Sequence, residues 1–76
     1  MKAINYFDRY KITEDSFGDY LPVNWQKIAV YLNKKIETKL RKMGDAEEWE
    51  VQDAVNEIWD AYCDGKWDRA PKPVYL

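Results

Sequence analysis

From Asn24 to Met43 the apolar residues fall at Trp25, Ile28, Ala29, Leu32, Ile36, Leu40 and Met43, the i, i+3, i+4, i+7 spacing of one helical face. The pattern predicts an amphipathic helix over 24–43. Asn24 is a suitable N-cap, Val23 and Ile28 occupy the two positions of a hydrophobic staple, and Gly44 sits where helices commonly end in a left-handed residue. Asp45 follows at once with Glu48 three residues on, so Asp45-Ala46-Glu47-Glu48 reads as a capping box that opens a second helix over 45–63. The apolar positions of that helix are Val51, Ala54, Val55, Ile58 and Tyr62, and Asp64-Gly65 closes it. A connection this short makes the two helices antiparallel neighbours. The predicted fold is all-α, a small single domain over 1–76 built on an antiparallel αα-hairpin at 24–64.

Outside the hairpin the periodicity is weaker. In residues 1–23, Ile4, Phe7 and Tyr10 fit a short helical turn, while Ile4, Tyr6, Tyr10 and Ile12 fit an extended segment interrupted by Asp8. We expect the short helix, with the extended segment as its alternative. Thr13 to Pro22 is rich in Asp, Ser, Gly and Pro and reads as a loop. The tail, 65–76, carries Pro71 and Pro73 and should be extended. Trp67, Val74 and Tyr75 are apolar enough to dock it across the hairpin as a strap, and a frayed end fits the sequence equally well.

Composition limits the chemistry. The 76 residues include 46% apolar and 16% aromatic side chains, enough for a core, but a chain this short buries only about 60% of its unfolded surface. With no histidine and a single cysteine, Cys63, there is no disulfide or metal to reinforce it. The same absence excludes Ser/His and Cys/His nucleophilic catalysis and the common zinc sites. Cys63 is expected to be a partly buried small hydrophobe. Gly18, Gly44 and Gly65 stand alone, so no phosphate-cradling loop is formed, and carboxylates in a row along one helix do not converge on a cation. There is also no room for a scaffold plus an enclosed ligand pocket. We expect no enzyme, no cofactor and no metal. The segment Met1–Asn5 lacks the apolar run of a leader, and the longest apolar run, Ile28 to Leu32, is too short for a membrane span. A cytoplasmic protein without a membrane partner is the expectation.

Charge is where the chain departs from an ordinary small domain. Formal charges are −1 over 1–23, +5 over 24–44, −8 over 45–64 and +2 over 65–76, within a total of −2. Between Asp45 and Asp64 there is no Lys or Arg to make the i, i+4 pairs that support an exposed helix. Glu50, Asp53, Glu57, Asp60 and Asp64 form one stripe opposite the apolar face. Helix 24–43 carries the reverse sign, with Lys27, Lys34, Lys35, Arg41 and Lys42 on its outer side and Tyr31 among them.

The acidic stripe suits a non-enzymatic interaction module whose partner is a protein with a basic surface, such as a small inhibitor or nucleic-acid mimic of phage or mobile-element origin. The plain alternative is a solvated face that keeps the protein soluble. Lys27, Tyr31, Lys34, Lys35 and Arg41 suggest a nucleic-acid-binding module instead, although the acidic balance opposes it. Self-association of the basic helix with the acidic helix of another copy is the third possibility. Trp49 and Trp59 lie at the margins of the second helix's apolar face, where core packing is expected. If they and Trp67 are exposed, they become aromatic anchors.

Overall fold

The computed structural model describes residues 2–76. A 3-10 turn, Ala3–Tyr6, runs directly into the one-turn helix α1, Phe7–Tyr10, and a second 3-10 turn follows at Glu14–Phe17. Helices α2, Trp25–Met43, and α3, Glu48–Cys63, pack together as the expected hairpin. The tail bends through Ala70, whose N–H donates to the Trp67 carbonyl, and has no regular secondary structure from Pro71 onward. The described residues contain no strand, and none of their helices is long and apolar enough to cross a membrane.

One core joins these pieces. Ile28, Leu32, Ile36 and Leu40 of α2 and Val51 of α3 are at most 1% exposed, each contributing about 2 kcal/mol on burial. Ala3 and Ile12 belong to the same cluster, and Phe7 and Tyr10 of α1 pack against it partly buried, so the N-terminal segment is joined to the core. Its attachment is specific. The Ala3 N–H donates to the Gly44 carbonyl at 2.6 Å, and Ile12 is clasped by Asn33, whose Oδ1 accepts the Ile12 N–H at 2.7 Å while its Nδ2 donates to the Ile12 carbonyl at 3.0 Å.

Three local expectations are corrected. The acidic helix starts at Glu48, three residues later than 45, and its capping box is Glu47 with Glu50: the Glu47 N–H donates to Glu50 Oε2 at 2.9 Å, and the Glu47 carboxylate accepts the Glu50 N–H. Asp45 and Ala46 stay in the connection because Gly44, at φ +65°, is tied to Ala3 and Ala46 packs against the core. Asn24 holds the N-cap position, but its side chain makes no cap bond. It spans to the tail, with Nδ2 donating to the Lys72 carbonyl at 2.8 Å and Oδ1 accepting the Val74 N–H at 2.9 Å. The staple is not packed either: Val23 is exposed while Pro22 beside it is buried, and the Val23 N–H donates to the Val74 carbonyl at 2.8 Å.

The tail is therefore a docked strap. The side chains of Val74 and Tyr75 do not hold it, since both are exposed. The Asn24 clasp, the Tyr62 hydroxyl donating to the Pro71 carbonyl at 2.6 Å, and Trp67 against Tyr31 hold it instead. Burial pushes the Tyr62 phenol pKa up.

Candidate functional site

The acidic stripe occupies the outer side of α3. Asp53, Glu57, Asp60 and Asp64 are exposed and make no ion pair among the described residues. Glu50 departs from the group, being half-buried and engaged in the capping box. Other carboxylates do find cations: Asp8 pairs with Lys11, Glu37 with Arg41 and Glu48 with Arg9. Asp53, Glu57, Asp60 and Asp64 thus stay together without a cation on one side of α3.

Trp49 belongs to that side. Its expected place was the core margin, but it is 60% exposed, four residues before Asp53 and hence on the same face. Trp49 lies in the first turn of α3, nine residues before Ile58 and so on the side of the helix opposite it, and its Nε1 donates to Glu47 Oε2 at 2.6 Å. Trp59 meets the expectation. It is half-buried, edge-on to Phe17 with ring centroids 5.5 Å apart and 6.0 Å from Tyr62. The 3-10 turn at Glu14–Phe17, locked by Thr13 and Ser16, is what brings Phe17 there.

The basic residues separate into two groups. Lys34, Lys35, Lys39 and Lys42 surround an open cleft of about 600 Å³ whose apolar walls are Tyr31, Ile58 and Trp67. Lys35 Nζ stands 5.5 Å from the Tyr31 ring centroid and 5.0 Å from that of Trp67, within cation–π range of both. A shallower hollow of about 470 Å³, lined by Lys27, Val30 and Pro71, adjoins it through Tyr31 and Lys34. Arg41 is not part of either. It turns to Glu37 at 3.4 Å on the other flank of α2. Lys39, Lys42 and Ile58 were not among the expected site residues, and Trp67 was expected only as an isolated anchor. The lysine spacing on α2 was visible in the sequence, whereas Ile58 and Trp67 arrive from distant segments with no local signal.

Two further features complete the surface. Cys63 is exposed rather than partly buried, yet partial desolvation, followed by the charges of Asp60 and Asp64, pushes its thiol pKa up and makes it a poor nucleophile at neutral pH. At the end of the hairpin opposite Gly44, Tyr20, Val23, Val74 and Tyr75 are exposed together, joined by the bond between Val23 and Val74. Compared with known proteins, the chain matches no family model, no curated protein and no solved structure.

Proposed function

We propose that this protein is a non-enzymatic interaction module that docks on a basic protein surface through the outer side of α3, with Trp49 as anchor and Asp53, Glu57, Asp60 and Asp64 as the charged contacts. The exposure of Trp49 in line with those acids carries this reading. A solvated charged face has no use for an exposed indole, whereas interfaces concentrate their energy in tryptophan, tyrosine and arginine surrounded by polar groups. The carboxylates supply steering toward a cationic partner and exclude anionic ones. A basic surface that ordinarily holds nucleic acid would suit this face, which is how a small inhibitor would act.

A tagged pull-down from lysate of the source cells tests it, run with the native chain, with Trp49→Ala, and with Asp53, Glu57 and Asp60 changed to Lys. The expected outcome is a retained protein that is weakened at least tenfold by Trp49→Ala, lost on charge reversal, and displaced by added nucleic acid. Retention of the same protein by all three would end the proposal.

The lysine cleft supports a second reading, a single-stranded nucleic-acid site with Lys34, Lys35, Lys39 and Lys42 on phosphates and Tyr31 and Trp67 against bases. Its walls are largely apolar and the opposite-signed α3 field repels phosphate, so we rank it second. Oligonucleotide affinity at low salt that falls steeply as salt rises would support it, and no binding at low salt would remove it.

A further inference from the structure

Two surfaces of this chain complement each other and cannot meet within one copy. The cleft beside α2 offers apolar walls, Tyr31, Ile58 and Trp67, and lysines that have no carboxylate partner among the described residues. At about 600 Å³ it has room for an indole with carboxylates at its rim. Trp49 is an exposed indole with Glu47 bonded to it and Asp53 one turn on. Trp49 and Ile58 are nine residues apart on α3, so about 100° per residue sets them on opposite sides of the helix. One copy therefore cannot place its own Trp49 in its own cleft.

We infer that the cleft is a docking site for the Trp49 edge of α3 from a second copy of this chain. The inference rests on the reading of Trp49 as an anchor and adds an occupant for the cleft. Insertion covers the exposed indole with Tyr31, Ile58 and Trp67, and it sets Glu47, Asp53 and Glu57 of one copy against Lys34, Lys39 and Lys42 of the other. Both surfaces gain the counter-charges they lack in the single chain. The contact is head-to-tail, leaving each pair of copies one free cleft and one free edge, so repeated addition yields rings or open chains rather than a closed symmetric dimer.

Sedimentation equilibrium on the full chain tests this with two variants, each first shown to be helical by circular dichroism: a cleft variant, Lys34→Glu with Lys39→Glu, and an edge variant, Trp49→Ala with Asp53→Asn. At about 0.02 M salt the native protein should exceed twice the monomer mass as concentration rises, and at about 0.5 M salt the association constant should drop at least tenfold. Each variant alone should remain a monomer. Mixed, they should form a heterodimer that stops at two copies, because the only intact cleft and the only intact edge are then used. A native chain that stays monomeric at every concentration would overturn the inference. So would self-association of each variant alone, which would mark a symmetric contact such as the apolar end at Tyr20 and Val74. An oligonucleotide that quenches tryptophan fluorescence in a monomeric native chain, and fails to do so in the cleft variant, would also overturn it and assign the cleft to nucleic acid. A monomeric result leaves the Trp49 edge as a surface for a different protein, which the lysate experiment decides separately.

Discussion

Asn24 carries two roles with one residue. Its backbone carbonyl accepts the Lys27 and Ile28 N–H groups as the start of α2, while its amide holds both a donor and an acceptor of the strap. An aspartate at a helix N-terminus is ordinarily as good a cap as asparagine. Here Asn24→Asp removes the Nδ2 donor and leaves the Lys72 carbonyl without its partner. We predict that the substitution destabilises the protein by about 1 kcal/mol and speeds amide exchange at Val74, measured by urea unfolding and hydrogen exchange. Unchanged stability would show that the bond to the Lys72 carbonyl contributes nothing to the fold. The tryptophans give a second contrast at this scale. Trp59→Ala should cost about 3 kcal/mol, as for a large side chain removed from a packed site. Trp49→Ala should stay within about 0.5 kcal/mol of the native chain, as for an exposed residue. Chemical unfolding of the two variants checks both values. Trp59 stands at the edge of the apolar stripe of α3, where Phe17 reaches over it, whereas Trp49 stands on the opposite side among the acids.

Among the elements, α3 is the one whose charge works against it. It has no basic residue in its last turn, where a cation would meet the negative end of the helix, and Asp53 with Glu57 and Asp60 with Asp64 are like pairs at i, i+4. Asp60→Lys should therefore stabilise the fold by about 0.5 kcal/mol at low salt, with the gain fading near about 1 M salt. Thermal melts across a salt series read this directly, and a loss of stability would mean that Asp60 has a partner in the fold. The helices themselves were legible because their apolar positions recur at 3.6 residues over many turns. Their capping was not. Asp45 with Glu48 and Glu47 with Glu50 are both acceptable boxes by residue type, and the hydrogen bond from Ala3 to Gly44, made by a segment more than 40 positions away, selects the second.

At the scale of the molecule, the N-terminal segment, hairpin and strap share one core, and the particle is elongated, 41 × 24 × 16 Å. Because Trp67 in the strap and Ile12 near the N-terminus both rest on the hairpin, neither has an independent unit to melt with. Thermal unfolding followed by tryptophan fluorescence and by far-ultraviolet circular dichroism is predicted to give coincident, two-state transitions. A separate early fluorescence phase would show that the strap releases first.

The amino-acid sequence by itself determined the all-helical class, the hairpin and its core face, and the opposite signs of the two long helices. These follow from periodicity and from counting charges within segments, both local properties of the chain. Tertiary structure alone decided that Trp59 is covered, that Asn24 and Tyr62 hold the tail, and that Arg41 leaves the lysines while Lys39, Ile58 and Trp67 join them. Each of those outcomes depends on contacts between residues far apart in the chain. A side chain's exposure is set by what packs across it, and neither its residue type nor its position on a helical wheel records that neighbour.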